Sequence, residues 1–278
     1  MRRKELGTLI CMAVLHATTG CRRETPTSSS VRIDQTSEAI IMPILATRDG
    51  VFTVPKEFEA VSETIRESTL YMFGESGIFT GVVVENAGGI VIIATSRHGI
   101  YHHGVDGSQN EQATTYLKFR LNALDQTTYE INNFVLSESP RHDIVLIGFK
   151  VDQLEADFWF PGVAVNETEP NVGEAGLTFG HGAISLSNGF PEGHFEVAPI
   201  ITNRDNTFSR SYMANIPVVS KGDSGEGWFT VGADGKAELR GIVTDIEFAD
   251  KGTRIVTAIS PISGYSTMRE EILKILQR

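Results

Sequence analysis

The sequence predicts an all-β protein of two packed six-stranded antiparallel β-barrels, with one helix before the first barrel and one after the second. Short runs of β-branched and aromatic residues, separated by Gly, Asn and Asp turns, recur along most of the chain. These runs form two sets of six, on either side of a segment from Pro161 to Pro170. Closure of each set into a barrel would remove the exposed strand edges.

Composition indicates a folded protein whose core is held by packing. The chain has 278 residues, of which 41% are hydrophobic, and a formal net charge of -11 at pH 7. Nucleic-acid binders need a basic surface, so this charge argues against a nucleic-acid partner. The chain contains only 2 Cys, which is too few for a scaffold built on disulfides.

Residues 1–20 predict an export signal. Three basic residues precede an apolar run, Leu6 to Leu15, that suits a signal peptide and is too short to span a bilayer. A small residue before Cys21 resembles the site where bacterial lipoproteins are cleaved and acylated, although Thr18 stands where Leu is usual. Lipidation at Cys21, ordinary secretion and an uncleaved segment all stay open. The first two place the protein in the bacterial cell envelope or outside the cell, with membrane contact only through a lipid.

The elements of the body follow in order. Residues 21–45 predict a flexible tether, because they begin polar and rich in Ser and Thr. Residues 46–70 form an extension with a helix, since Pro55 opens a stretch with apolar residues at helical spacing. We expect the first barrel at residues 71–155 and the second at residues 156–278. The predicted strands are Tyr71 to Phe73, Ile78 to Glu85, Gly89 to Ala94, Thr115 to Leu121, Thr127 to Leu136, Asp143 to Lys150, Gly176 to Phe179, His194 to Ile201, Phe208 to Asn215, Gly227 to Val231, Ala237 to Thr244 and Arg254 to Ile259.

A helix is also predicted at the end of the second barrel. The sequence from Thr267 to Glu270 matches the capping-box motif Ser/Thr-x-x-Glu, and apolar residues follow it at helical spacing. We therefore expect the helix to begin at Thr267.

The most specific string is Lys221-Gly222-Asp223-Ser224-Gly225, in the loop before a predicted strand. A Gly on each side of the Asp223-Ser224 pair lets the backbone expose the serine hydroxyl and neighbouring N–H groups, as a nucleophile requires. An ordinary Gly-Asp-Ser turn fits this string equally well. An α/β-hydrolase elbow does not fit, because Glu226 replaces the last Gly of Gly-x-Ser-x-Gly and no helix is predicted after the serine.

A serine nucleophile needs a base and a carboxylate that orients the base. His98 stands where an apolar strand turns out into a Gly99 loop, and Asp143 leads directly into another apolar strand. Taken singly, each is better interpreted as an ordinary strand-end residue. A metal site built from His98, His102 and His103 lacks the Glu of His-Glu-x-x-His and lies in a Gly-rich segment, so we expect no metal.

Three segments together resemble the trypsin/chymotrypsin-like serine peptidases in their bacterial, disulfide-free form: GIFTGVVVENAGGIVIIATSRHG, RHDIVLIGF and KGDSG. The resemblance covers roughly residues 71–262 and implies two six-stranded barrels. It implies that Ser224 is the nucleophile, His98 the base and Asp143 the orienting carboxylate. The N–H groups of Gly222 and Ser224 would form the oxyanion hole. We expect a monomer that acts on polypeptide substrates without a cofactor.

The resemblance also places a substrate pocket. Val218, six residues before the serine, would form its base, and Thr244 and Ile246 would lie on its wall strand. A Val base argues against selection of Lys or Arg by an ion pair, and Ile246, where many relatives have Gly, implies a narrow pocket for small or medium apolar side chains. Arg254 offers the alternative of a preference for acidic residues.

The sequence thus predicts a secreted or envelope-tethered serine endopeptidase that works through a Ser-His-Asp triad and an acyl-enzyme intermediate. Two departures from the family pattern are Arg97 directly before the base and Glu226 after the Ser-Gly pair. They keep open the alternative of a catalytically weak or inactive binding protein with the same fold at the cell envelope.

Overall fold

A computed structural model describes residues 54–278 except residues 76, 104–110, 123, 140, 155–157, 182–192, 206–209, 215–221 and 250–253. The predicted signal peptide, Cys21 and the tether lie outside the described residues. All described residues belong to one compact unit, residues 42–278. Among them, none of the helices has the length and apolar character that a membrane span needs.

The described part of the chain is mostly β-strand with three α-helices. The elements in chain order are α1 (Glu59–Ser68), β1 (Thr69–Gly74), β2 (Gly77–Ala87), β3 (Ile90–Ser96), α2 (Arg97–Ile100), β4 (Tyr101–His103), β5 (Glu111–Ala113), β6 (Leu117–Arg120), β7 (Tyr129–Ile131), β8 (Val135–Glu138), β9 (Ile144–Lys150), β10 (Ala164–Val165), β11 (Ala175–Gly180), β12 (His194–Asp205), β13 (Arg210–Ala214), β14 (Gly227–Val231), β15 (Ala237–Ala249), β16 (Arg254–Pro261) and α3 (Tyr265–Leu276).

The first sheet has seven strands in the order β7-β6-β1-β2-β3-β9-β8. Its β2–β3 hairpin turns at Gly88 and Gly89, whose φ angles of 61° and 76° suit a tight turn that matches the twist of the strands. The single strand predicted from Thr127 to Leu136 is wrong. That segment forms two strands, β7 and β8, because the polar pair Asn132-Asn133 favours a turn and interrupts the ladder.

The second sheet closes on itself. Its order is β10-β15-β14-β11-β12-β13-β16, and β15 also pairs with β16, so six antiparallel strands form a closed ring. The strand β10 adds to β15 in parallel at Ala164 and Val165. This architecture confirms the predicted all-β class with two antiparallel β-units. The first sheet has seven strands instead of the predicted six, because the segment from Thr127 to Leu136 contributes two, and the short strands β4, β5 and β10 are additions that the sequence pattern did not reveal.

The longest apolar runs of the sequence lie on strands that are buried on both faces. Val82 and Val84 of β2 belong to a core shared by both sheets and by α1 and α3, whereas Val83 belongs to a core inside the first sheet. On β3, Ile92 and Ile93 divide between the two cores in the same way. Continuous apolar runs replace the usual alternation because neither face meets water.

Both terminal helices begin at other residues than the sequence predicts. A 3-10 turn, Lys56–Phe58, separates Pro55 from the start of α1. The capping box predicted at Thr267 is wrong, because α3 already begins at Tyr265. The N–H groups at its start are instead bound by a distant loop. The carboxylate of Glu167 accepts hydrogen bonds from the backbone N–H groups of Gly264 at 2.8 Å and of Ser266 at 3.0 Å.

Candidate active site

His98 lies in a short helix at the end of an interior strand. Strand β3 ends at Ser96, and α2 begins at Arg97. Gly99 packs closely on Phe79, because a Cβ atom at Gly99 would lie 3.1 Å from the phenyl ring. The imidazole of His98 is at the surface, with 48% of its side chain exposed.

Asp143 lies directly beside His98 because of the strand register. Ser96 of β3 pairs with Ile144 of β9, so the residue before β9 faces the start of α2. Oδ2 of Asp143 is 2.5 Å from Nδ1 of His98, and Oδ1 accepts the backbone N–H of His98 at 3.0 Å. The backbone oxygen of Asp143 also accepts the N–H of Arg97 at 3.1 Å. One carboxylate thus fixes both the ring and the backbone of the histidine.

The electrostatic surroundings favour the protonated imidazole of His98. Burial lowers the pKa of His98, but the hydrogen bond and charge of Asp143 and the charge of Asp245 outweigh it and raise the pKa above its ordinary value. Asp245 is an exposed residue of β15, in the second sheet. The histidine is therefore subject to carboxylates from both sheets.

Arg97, the cation next to His98, takes part in a separate network. Its Nε is 2.6 Å from Oε2 of Glu138, and its guanidinium carbon lies 4.3 Å from the ring centre of Tyr101. The hydroxyl of Tyr101 also donates to Glu138. Burial raises the pKa of Glu138, but the hydrogen bonds from Tyr101 and Arg97 outweigh it and lower the pKa. The charge introduced by Arg97 is thus balanced by a carboxylate of the same sheet.

The loop that carries Ser224 is bound to both sheets. Thr80 of β2 donates its side-chain hydroxyl to the carbonyl of Gly222 at 2.9 Å and its backbone N–H to the carbonyl of Ser224 at 2.8 Å. On the other side, the N–H of Gly225 donates to the carbonyl of Val243 on β15 at 2.8 Å. Ser224 itself is only half-buried. These bonds hold the serine loop on the strand hairpin whose second strand leads to His98.

Two backbone N–H groups of this loop are left available. Gly222 has a φ of 108°, in the region that favours glycine, and its carbonyl is held by Thr80. Within the described part of the chain, the N–H groups of Gly222 and Ser224 have no hydrogen-bond acceptor. Such paired donors are what an oxyanion site requires.

The predicted pocket residues are only partly described. Val218 lies outside the described residues, as do the side chains of Ile246 and Arg254. Thr244 is buried at a bulge of β15, and its hydroxyl lies 3.2 Å from that of Ser260 on β16. Among the described residues, no group of three or more His, Cys, Asp and Glu side chains is arranged to hold a metal ion.

Sequence reasoning missed the residues that join the two sheets at this site. The hydroxyl of Thr80 contacts Gly222 across 142 positions of sequence, and Asp245 acts on His98 from the opposite sheet. No local motif marks either residue, because both act through the approach of distant segments.

Comparisons with known proteins support the fold. No family model and no curated protein sequence matches the chain. Among solved structures, the chain is similar to the thermostable serine protease AL20 from an extremophilic microorganism, with 15% identity, 76% of this chain and 99% of that chain covered, and a TM-score of 0.52. It is also similar to a Glu endopeptidase, with 13% identity and a TM-score of 0.53; the match covers 79% of this chain and 94% of that chain. The chain therefore has the two-barrel fold of chymotrypsin-like serine proteases.

Proposed function

We propose that this protein is a serine endopeptidase of the trypsin/chymotrypsin type. The observation that carries the proposal is the close pair of His98 and Asp143, whose Nδ1 and Oδ2 atoms are 2.5 Å apart. The loop of the half-buried Ser224 has two available N–H groups and is bound to Thr80, on the strand that pairs with the one leading to His98. The two-barrel fold that the chain shares with solved serine proteases supports the proposal. In this chain His98 follows a strand of the first sheet, and Ser224 precedes a strand of the second.

In the proposed reaction, Ser224 Oγ attacks the carbonyl carbon of a peptide bond while Nε2 of His98 takes its proton. The negative oxygen of the tetrahedral intermediate is bound by the N–H groups of Gly222 and Ser224, where one donor is typically worth about 10²- to 10³-fold in rate. The C–N bond then breaks, and the imidazolium returns the proton to the leaving amine. Water, activated by the same histidine, hydrolyses the resulting acyl-enzyme. Asp143 holds the ring in position and stabilises the imidazolium.

The proposal includes a narrow, apolar primary pocket and export of the protein to the cell envelope or beyond. The pocket rests on Val218 and Ile246, and the export on residues 1–21, as deduced from the sequence. Mass determination of the N-terminus of the protein from its own cells tests the export, and peptide-library cleavage tests the pocket.

The experiment that tests the activity is labelling of the full-length protein with a fluorophosphonate probe, with the adduct located by mass spectrometry. We expect one adduct, on Ser224, and none in the Ser224→Ala variant. The matched control, Ser62→Ala on helix α1, should label like the parent protein. A folded protein that does not label, or that labels at another serine, would contradict the proposal and favour a binding protein with this fold.

A pH profile tests His98 as the base. Because its pKa is raised, the base is lost as pH falls through a value above the ordinary histidine value of about 6.5. Asp245→Asn removes one of the charges that raise this pKa, so we expect the acidic limb of kcat/KM to move to lower pH. Glu270→Gln, which removes an exposed charge on α3, is the control. An acidic limb that does not move in Asp245→Asn, or activity that stays flat down to pH 4, would contradict this assignment.

A further inference from the structure

A buried group of acidic and imidazole side chains lies beneath the serine loop. Asp223 and Glu226 of the loop are 0% and 2% exposed, and His181, His194 and Glu196, at the facing ends of β11 and β12, are also buried. The proposed reaction uses none of these five side chains. Charged groups are rarely buried without a pairing or a function.

The two acidic side chains of the loop converge on one point of the second barrel. A Cβ atom at Gly180 would lie 2.7 Å from Oδ1 of Asp223 and 3.0 Å from Oε2 of Glu226. The two carboxyl groups therefore lie against the same glycine, at the end of β11. Only a residue without a side chain leaves room for both.

The same two residues are the ends of the turn that carries the nucleophile. The N–H of Glu226 donates to the carbonyl of Asp223 at 2.9 Å, which closes a four-residue turn with Ser224 as its second residue. The carbonyl of Glu226 accepts the N–H of Val243 at 2.8 Å. Any force that separates the two carboxyl groups therefore acts on the turn at Ser224.

The surroundings of Glu226 oppose its ionisation. Burial raises the pKa of Glu226 well above its ordinary value, and the charges of Asp223 and Glu196 raise it further, against a hydrogen bond with Thr178. Burial also lowers the pKa of His181 to about 4, so this ring is neutral and supplies no compensating charge.

The other titratable side chains of this buried cluster contact one another. Nε2 of His194 lies 3.7 Å from Oε1 of Glu196, and the ring of Tyr71 packs edge-on against that of His181. Oε1 of Glu226 has no hydrogen-bond partner among the described residues. This oxygen therefore receives no hydrogen bond that would stabilise the ionised form.

We propose that Glu226 is a positioning residue for Ser224: its carboxyl group keeps its proton in the folded protein, and loss of that proton places a second negative charge beside Asp223 and opens the turn. This inference rests on the proposed function for the role of Ser224. The protonation of Glu226 does not depend on that role. The residue that departs from the family pattern thus becomes part of the support of the nucleophile.

The first test compares the stability of Glu226→Gln with that of the parent as a function of pH, both in the inactive Ser224→Ala chain. A carboxyl whose folded pKa is raised contributes stability below the ordinary carboxyl range and loses it as pH rises towards the folded pKa. Gln keeps the neutral shape and does not titrate. We therefore expect the unfolding constant of the parent to rise, relative to that of the variant, by about tenfold per pH unit above this range. The control Glu270→Gln should show no such slope. A difference that is constant with pH, or of opposite sign, overturns the proposal.

The second test measures the rate of fluorophosphonate labelling from neutral to alkaline pH in the active chain. We expect the rate in the parent to decline at alkaline pH before the protein unfolds, and the decline to be absent in Glu226→Gln. Identical alkaline profiles overturn the positioning role while the proposed function stands. Absence of labelling at every pH overturns the proposed function instead, and the stability curves distinguish this case because they need no active serine.

A third measurement applies if Glu226→Gln does not fold. Carboxyl-carbon NMR of the Ser224→Ala chain, labelled at the glutamate side chains, shows directly whether one glutamate stays protonated. We expect one such signal above the ordinary carboxyl range, and we expect it to persist in Glu196→Gln, which removes the other buried glutamate of the cluster. Ionisation of all glutamates within the ordinary carboxyl range overturns the proposal.

Discussion

Replacement of Asp143 by Asn is expected to lower kcat of the proposed peptide hydrolysis by about 10⁴-fold. The Asn oxygen can still accept the backbone N–H of His98, the bond that Oδ1 makes now at 3.0 Å. The Asn NH₂ group then faces Nδ1, in place of the Oδ2 atom that lies 2.5 Å away. A donor in that position favours the tautomer whose proton is on Nε2, so the ring no longer accepts the proton of Ser224. The imidazolium also loses its stabilising charge.

This prediction is measured as kcat and KM separately, with thermal unfolding of the same samples. We expect KM and the unfolding midpoint to change little, because Asn fills the same space and keeps the backbone bond. The matched control is Asp234→Asn, an exposed aspartate in the turn between β14 and β15, which should retain parental kinetics. A loss of less than tenfold in Asp143→Asn would show that this carboxylate does not orient His98 as the proposed base.

The part of the site that could be predicted from the sequence is the part encoded locally. His98 and Asp143 stand at the ends of apolar runs, and the strand register places those ends side by side. The runs are recognisable because β3 and β9 are buried on both faces. Likewise, Gly222 and Gly225 flank the serine because the loop needs positive φ angles at both positions.

The rest depends on contacts between segments that are distant in sequence. The cap of α3 by Glu167 and the contact of Thr80 with Gly222 arise only when the two sheets come together. The split of the segment from Thr127 to Leu136 shows a further limit, since a turn-favouring pair outweighed the β-branched residues around it. Glu226 is the clearest case: as a departure from the sequence pattern it indicated weaker activity, whereas in the fold it is buried against Gly180 together with Asp223 of the same turn.

Gly225→Ala should give the second large effect, a loss of at least about 10²-fold in kcat/KM, comparable to removal of an oxyanion donor. A methyl group at this position would overlap the backbone oxygen of Thr80 and the hydroxyl of Thr95. The carbonyl of Thr80 accepts that hydroxyl at 2.6 Å, so neither atom moves freely. Gly225 also has a φ of 93°, which an L-residue adopts at a cost of about 1–2 kcal/mol. The loop must therefore withdraw from Thr80, and Ser224 with it.

The chain provides a control that separates the overlap with Thr80 and Thr95 from the cost of a positive φ angle. Gly235, in the turn between β14 and β15, has a φ of 78° and nothing within 4 Å of an added Cβ atom. Gly235→Ala should therefore lose the same 1–2 kcal/mol or so of backbone stability and keep its fluorophosphonate labelling. If Gly225→Ala behaves like this control, contact of the serine loop with the first sheet is not what positions Ser224. If it loses labelling while it stays folded, the approach of the two sheets at Thr80 is itself a requirement for the reactive serine.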